Sequence, residues 1–428
     1  MNSEKNKKDS SHSDLWEGGL IACRECDLLH CIIPVPGNRK AFCIRCGAFL
    51  YQTIPNSLEK ALALNLAAFM LFIMANAFPF LSLELNGRIV ENFFLSGALA
   101  LYRLGMGELG VLVFLTSILF PFLTITGMLY ILLPMRFGHR PWKMGWVYRM
   151  VQALKSWSLI AVFMLGVLIA FVKLLDLATI IPGISLYSFV GLMVVLTAAN
   201  ANLDTFVIWP SMKQELSGKS SGETASERDL IGCHTCALLV PKNYLDKDGN
   251  GNCPRCTAPL HSRKSNSLPR TWALIIAAAL LFIPANIYPV MTIIQFGQGH
   301  PNTILSGVIH LIESGMWVLA LIIFFASIII PILKLIVLSF LLMTVKKRSS
   351  WRSRDRTLLF RVIEVVGAWS MVDIYVVAVL VGLVNLGALS TIRPGIGVAF
   401  FGAMVVITMF AAHSFDPRLI WDNTERLK

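Results

Sequence analysis

Long uncharged runs alternate along this chain with short basic segments, and that alternation predicts its elements. The stretches 61–83, 109–135 and 271–299 contain no Asp, Glu, Lys or Arg, and each exceeds the roughly 20 residues a helix needs to cross a bilayer. The pattern predicts four spans in the first half, near 60–82, 107–134, 156–177 and 184–206. Four more follow in the second half, near 270–292, 315–345, 366–388 and 395–414. An even number per half returns the chain to its starting side, which makes the two halves parallel repeats rather than inverted ones. The segments 92–104 and 302–313 are too short and too polar to span, and are expected to form interfacial or re-entrant helices. Pro121, Pro331 and Pro284 fall inside spans, where a membrane helix can kink and find neighbouring partners.

Composition agrees: 56% of the 428 residues are hydrophobic, only 14% are charged, and the mean hydropathy is +0.67, values of a membrane protein rather than a soluble domain. The net charge of +12 would suit nucleic acid, but its placement follows the spans. Lys and Arg gather at 136–155, 242–270 and 346–361, whereas 81–95, 293–303 and 386–395 hold only Arg88 and Arg393. This is the asymmetry of the positive-inside rule, and it places the basic loops and both termini in the cytoplasm. Nucleic-acid binding is therefore not expected. Met1 to Glu17 is polar and lacks the apolar core of a cleavable signal peptide, so the first span is expected to act as its own signal.

Self-comparison shows a tandem duplication. Cys23, Cys26, Cys43 and Cys46 recur 210 positions later as Cys233, Cys236, Cys253 and Cys256. Asn56-Ser57-Leu58 recurs as Asn266-Ser267-Leu268, Ala75-Asn76 as Ala285-Asn286, Leu95-Ser96-Gly97 as Leu305-Ser306-Gly307, and Pro79 and Pro121 as Pro289 and Pro331. After the basic loop the offset becomes 212, matching Trp157-Ser158 to Trp369-Ser370, Pro182-Gly183 to Pro394-Gly395, Asp204 to Asp416 and Trp209 to Trp421. A two-residue insertion within 346–361 accounts for the change.

The expected fold is an all-α polytopic membrane protein of two parallel tandem repeats, each a small cytoplasmic zinc ribbon followed by about four transmembrane helices. The boundaries are a disordered tail (1–17), ribbon 1 (18–55), transmembrane repeat 1 (56–210), a linker (211–228), ribbon 2 (229–264), transmembrane repeat 2 (265–416) and a cytoplasmic tail (417–428).

Eight of the nine cysteines form two sets of C-x2-C-x16-C-x2-C. Each C-x2-C turn can aim two thiolates at one metal, and two turns complete the tetrahedral sulfur shell that zinc favours in structural sites. Two structural Zn2+ sites are expected, one from Cys23, Cys26, Cys43 and Cys46 and one from Cys233, Cys236, Cys253 and Cys256. Iron in a rubredoxin-like shell uses the same ligands and stays open. Disulfides do not suit a reducing cytoplasm. Cys31 has no counterpart in the second repeat and reads as a small hydrophobe, while Asp246 to Gly251 lacks the terminal glutamate of a calcium loop and reads as a turn. His30, His234 and His261 fall in or beside the ribbons as solvated or supporting residues.

Three ionisable residues interrupt the apolar runs: Lys173, Lys334 and Asp373. Such residues are costly in a bilayer and usually face the protein interior or a water-filled path. At 1.5 Å per residue, Lys334 lies roughly 17 Å and Asp373 roughly 10 Å from the cytoplasmic ends of their spans, placing them to pair. A structural ion pair, or snorkelling of Lys173 to the outer interface, would account for the same residues. The positions of Lys334, Lys173 and Asp373 are held in the other repeat by Thr124, Asn385 and Ala161, so the duplication has diverged at its charged sites. Asn76 and Asn286, each three residues before a proline, are placed to satisfy backbone groups freed by a kink. There is no P-loop, G-x-S-x-G, H-E-x-x-H or G-x-G-x-x-G, so the sequence points to no enzyme of those classes.

Two cysteine ribbons, each followed by Asn-Ser-Leu and a segment ending in Ala-Asn and proline, resemble the paraquat-inducible protein A family. The most specific stretches are Ile283-Pro284-Ala285-Asn286, Ala326-Ser327 through Pro331 to Lys334, Trp369-Ser370-Met371-Val372-Asp373-Ile374-Tyr375, and Phe415-Asp416-Pro417-Arg418-Leu419-Ile420-Trp421-Asp422. In the first half, Trp157-Ser158-Leu159-Ile160-Ala161 departs from the acidic form of that motif. The resemblance implies an inner-membrane subunit of an intermembrane lipid transport system, working with a periplasmic MCE-domain partner whose tunnel carries lipids between membranes and supporting outer-membrane integrity. On the combined reading, membrane lipids pass a route lined by Lys173, Lys334, Asp373, Asn286, Ser327 and Asn385. A proton-coupled transporter of a small solute or toxic compound, a redox protein with iron in its ribbons, and a scaffold that anchors a periplasmic complex are the alternatives.

Overall fold

A computed structural model describes residues 19–33, 39–85, 88–175, 179–209, 222–246, 249–295, 298–383 and 390–422. Among these residues, eight helical segments are long and apolar enough to cross a membrane, four from each half. The chain is a multi-pass membrane protein. In the first half the helices are α1 (Ser57–Ala77), the short α2 (Ser96–Arg103), α3 (Gly107–Arg136), α4 (Met144–Lys155), α5 (Ile160–Leu175) and α6 (Ile184–Ala201). Their copies are α7 (Ser267–Ile287), α8 (Ile304–Glu313), α9 (Trp317–Lys346), α10 (Ser353–Val366), α11 (Val372–Leu383) and α12 (Ile396–Ser414).

The duplicated motifs each solve a local problem twice. Asn56 and Asn266 take left-handed backbone (φ 55° and 52°) before α1 and α7, a conformation Asn tolerates better than most residues. The serine that follows ties its helix to the end of the fourth span. Ser57 Oγ donates to the Asn202 carbonyl and accepts from Asp204 N–H, both at 2.8 Å, and Ser267 repeats this with Ser414 (2.8 Å) and Asp416 (3.1 Å). Pro-Gly recurs because a Cβ at Gly183 would lie 2.1 Å from the Pro79 carbonyl oxygen, and one at Gly395 equally close to that of Pro289.

Both long helices α3 and α9 carry a π-helical turn, Leu115–Leu119 and Phe325–Ile329. Pro121 and Pro331 follow each turn, and proline's missing N–H and ring clash with the preceding turn explain why the helix widens there. A π-turn thus precedes Pro121 and Pro331, whereas α7 continues through Pro284 as an α-helix.

Small sheets accompany the helices, which the all-α expectation did not contain. After α1 the chain forms the hairpin β5 (Leu81–Leu85) and β6 (Arg88–Asn92), and β7 (Thr179–Pro182) adds antiparallel to β5. The copy is β12 (Met291–Gln295) with β13 (Gln298–Asn302) and β14 (Ser390–Pro394), in matching register: Leu81 faces Asn92 and Pro182, and Met291 faces Asn302 and Pro394. The segments 92–104 and 302–313 therefore begin at the ends of these hairpins and continue as α2 and α8. Two of the basic segments, 136–155 and 346–361, are also largely helical, as α4 and α10.

Each ribbon is two hairpins. Ribbon 1 pairs β1 (Leu20–Ala22) with β2 (Leu29–Cys31), and β3 (Lys40–Phe42) with β4 (Phe49–Gln52). Ribbon 2 pairs β8 (Leu230–Gly232) with β9 (Leu239–Pro241), and β10 (Gly251–Asn252) with β11 (Pro259–Leu260). Asp246 N–H donates to the Asn250 carbonyl at 2.8 Å, a turn as expected. The ribbons pack on each other through Leu20, Ala22 and Leu29 of one and Leu230 and Leu239 of the other. Both therefore lie at one end of the helices, as parallel repeats require.

The halves depart from symmetry at the centre. α11 is enclosed by α2 and α5 of the first half. A Cβ at Gly97 would meet the Ala378 carbonyl oxygen at 2.7 Å, and one at Gly166 would meet Tyr375 Cβ at 2.8 Å. Gly307, the copy of Gly97, has nothing within 4 Å of the corresponding position among the described residues.

Candidate metal centres and a buried polar site

The four C-x2-C turns are built alike. The N–H after the second cysteine donates to the carbonyl of the first, at 3.0 Å for Asp27, 2.9 Å for Gly47, 2.9 Å for Ala237 and 2.8 Å for Thr257. All four take positive φ (63°, 71°, 58° and 55°). Three are not glycine, so the chain accepts a cost of about 1–2 kcal/mol at each left-handed residue, which the turn geometry must offset.

These turns bring the sulfurs together. Cys23 and Cys46 are 3.5 Å apart, as are Cys26 and Cys43; Cys233 and Cys256 are 3.5 Å apart, and Cys236 and Cys253 3.6 Å. Within each set all four Sγ atoms lie within 4.8 Å of one another, and all eight cysteines are buried and free of disulfides. A tetrahedral metal with sulfur bonds of about 2.3 Å separates its ligands by about 3.8 Å, so both sets can hold one ion. His30 Nε2 lies 3.2 Å from Cys43 Sγ, a supporting contact of the kind expected, and His234 stacks on His261 at 6.2 Å between centroids. Cys31 lies on β2, outside both sets.

The cysteine turns dock on the opposite half. Ribbon 1 packs with Val337, Leu341, Phe360, Ile363, Phe415 and Trp421 of repeat 2. Ribbon 2 packs with Met128, Ile131, Tyr148, Val151, Ile208 and Trp209 of repeat 1. The last strand of ribbon 1 keeps to its own half, through Gln52 to the Ala201 carbonyl (2.8 Å) and Tyr51 against Phe206 (5.5 Å between rings), and the end of ribbon 2 does the same, through Lys264 N–H to Asp416 (3.1 Å) and Arg263 to Asp422 (2.6 Å).

Within the spans, Lys334 on α9 is 2% exposed. Its Nζ donates to Thr408 Oγ1 on α12 at 3.1 Å, and Thr408 donates onward to the Val405 carbonyl at 2.7 Å. Gly367 makes room for the ammonium, since a Cβ there would stand 2.8 Å from Nζ. Lys334 thus joins α9 to α12 through Thr408. Asp373 is half-buried at the start of α11.

Ser327, in the π-turn of α9, is fully buried and its Oγ has no hydrogen-bond partner among the described residues. Its copy Ser117 donates to the Val113 carbonyl. Thr116 in that turn accepts from Tyr375 Oη at 2.8 Å, joining α3 to α11.

Asn286 Nδ2 donates to the Phe282 carbonyl at 2.8 Å, and Asn76 does the same to Phe72 in a helix with no internal proline. In both repeats the amide thus binds a carbonyl one turn back in its own helix. Lys173 falls on α5, with its side chain outside the described residues, as is Asn385.

The model of the family described as Paraquat-inducible protein A matches residues 58–213 and again 268–425. The chain belongs to the paraquat-inducible protein A family. The two matches begin 210 residues apart and end 212 apart, the same change of offset as in the duplicated motifs. Lys173, Lys334, Asp373, Asn286, Ser327 and Asn385 all lie within the family matches, whereas the eight cysteines precede each one.

Among curated relatives, the Intermembrane transport protein PqiA of Escherichia coli (strain K12) is 34% identical over 413 residues, 94% of this chain and 95% of that protein. The Lipophilic envelope-spanning tunnel protein A of the same strain is 30% identical over 414 residues, 96% and 93% of the two chains. A Probable intermembrane transport protein of Haemophilus influenzae is 28% identical over 414 residues, 96% and 97% of the two. No solved structure matches this chain.

Thr408, Gly367, and the arginines and tryptophans that receive the ribbons were not singled out as site residues from the sequence. Thr408 and Gly367 carry no signal, because Leu196 and Lys155 stand at their repeat positions. The receiving residues did carry one: Arg149 and Arg361, like Trp209 and Trp421, recur at the 212 offset.

Proposed function

We propose that this protein is an inner-membrane subunit of an intermembrane lipid transport system, passing membrane lipids to or from a periplasmic MCE-domain tunnel and supporting outer-membrane integrity. The names of its relatives, which describe intermembrane transport and an envelope-spanning tunnel protein, support the transport part of this reading. The ribbons face the cytoplasm, where the basic segments place them, and each carries a structural Zn2+ on its four cysteines. Zinc in such a closed thiolate shell supplies folding energy and leaves no open coordination position for chemistry.

The observation that carries the proposal is Lys334, an ammonium buried among spans with Thr408 as its one hydrogen-bond partner among the described residues. An ammonium has three protons to donate, so two remain for a lipid phosphate or for a transferred proton. Ser327, whose hydroxyl also lacks a partner there, together with Asp373, Asn286, Lys173 and Asn385, completes the route.

The test is Lys334→Met together with Lys334→Arg. Lys334→Met is expected to lower transfer of labelled phospholipid between donor vesicles holding the protein with its MCE partner and acceptor vesicles by roughly 10-fold or more, the scale of one lost charge-assisted hydrogen bond, while two zinc ions stay bound. Unchanged transfer would overturn the assigned route and favour the scaffold. Proton-driven uptake of a small solute by the protein without any partner would favour the small-solute transporter.

A further inference from the structure

The grip on the cysteine turns is exchanged between the halves in both repeats. Arg361 of α10 reaches ribbon 1, bonding Glu25 at 2.5 Å and the Gly47 carbonyl at 3.4 Å. Its copy Arg149 of α4 reaches ribbon 2, donating to the Thr257 carbonyl at 2.8 Å, and Thr257 is the repeat counterpart of Gly47. In the opposite sense, Arg45 of ribbon 1 lies over Trp421 at 4.4 Å, and Arg255 of ribbon 2 lies over Trp209 at 5.5 Å. Backbones touch as well, since a Cβ at Gly145 on α4 would stand 2.8 Å from the Cys256 carbonyl oxygen.

We propose that metal occupancy of each ribbon controls the order of the opposite half: ion-filled ribbon 1 holds the ribbon-side ends of α9 and α10, and ion-filled ribbon 2 those of α3 and α4. The proposal rests on the metal reading given under Proposed function. A ribbon of four short strands cannot hold its own core without its ion, so losing the ion uncovers whatever the ribbon covers. For ribbon 1 that is Val337, Leu341, Phe360 and Ile363; for ribbon 2 it is Met128, Ile131, Tyr148 and Val151. Each ribbon therefore bridges the two repeats, with its cysteine turns on the opposite half and its last residues on its own. A displacement of α10 carries ribbon 1, and a displacement of α4 carries ribbon 2.

Hydrogen–deuterium exchange on the full chain in detergent tests this, with bound metal measured on the same samples. Cys43→Ser/Cys46→Ser is expected to speed exchange in 353–366 by at least about 10-fold while 144–155 changes by less than about 2-fold, the signature of local opening. Cys253→Ser/Cys256→Ser is expected to give the reverse pattern. Faster exchange in a ribbon's own half, or equal change in both, overturns the proposal. Because ligand loss can unfold the chain, Arg361→Leu and Arg149→Leu provide a second arm with every cysteine intact. Each is expected to retain two ions and to loosen only its own helix and the opposite ribbon's cysteine turns, and uniform protection in both would equally overturn the exchange. A wild-type chain without two bound ions defeats the underlying metal reading, an outcome the metal measurement alone identifies.

Discussion

Gly97 and Gly307 occupy the same position in the two repeats, yet alanine there is expected to have opposite effects. At Gly97 the new Cβ would stand 2.7 Å from the Ala378 carbonyl oxygen and 3.2 Å from its carbon. Carbon–oxygen contacts between packed backbones settle near 3.3–3.6 Å, so α2 and α11 must part by about 0.6–0.9 Å. Overpacking of this kind costs about 1–3 kcal/mol, against a gain of about 0.5–1 kcal/mol for replacing a helical glycine, leaving Gly97→Ala less stable by up to about 2.5 kcal/mol. At Gly307 nothing lies within 4 Å among the described residues, and only the gain of about 0.5–1 kcal/mol remains. Unfolding of both variants in mixed detergent micelles, followed by circular dichroism, measures the difference. Gly382→Ala reports on the same contact from α11, since its Cβ would stand 2.7 Å from Gly97 Cα. Equal stability for Gly97→Ala and Gly307→Ala would refute the central asymmetry of the bundle.

Gly183→Ala and Gly395→Ala are expected to be more damaging than either, because both new methyl groups would stand 2.1 Å from a proline carbonyl; a membrane yield matching wild type would contradict this. Asp204 and Asp416, also repeat partners, are expected to respond to pH with opposite signs. Burial holds the Asp204 carboxyl up at about 6, against an ordinary 3.8. Its native form therefore binds the proton more tightly than the unfolded one, and stability is full below about pH 4 and falls by roughly 3 kcal/mol as pH rises to about 6. Asp204→Asn keeps the oxygen that accepts from Phe206 N–H and should flatten that slope in unfolding measured from pH 4 to 8; a parallel profile would contradict it. For Asp416, burial pushes the carboxyl up, but the Arg418 ion pair at 2.9 Å outweighs it and brings it down to about 2. Its contribution is thus full above about pH 4 and lost as pH falls toward 2.

The sequence by itself determined the number of spans, the duplication with its change of offset, and the two metal shells, because each depends on local pattern. Uncharged length decides a span, and the spacing of four thiols on two turns decides a metal site. The paired Asn-Ser and Pro-Gly motifs were visible for the same reason, although their purpose was not. Their partners, Asn202 and Pro79 with their copies, are brought to them only by the fold. Tertiary structure alone decided which half each ribbon serves, since the linear order of ribbon and spans suggests self-contained repeats and the docking is exchanged. It likewise set Lys334 against Thr408, and enclosed Gly97 while leaving Gly307 open among the described residues. Two copies of one pattern cannot both occupy the single centre of a bundle, and which one is enclosed there is settled by contacts between residues hundreds of positions apart.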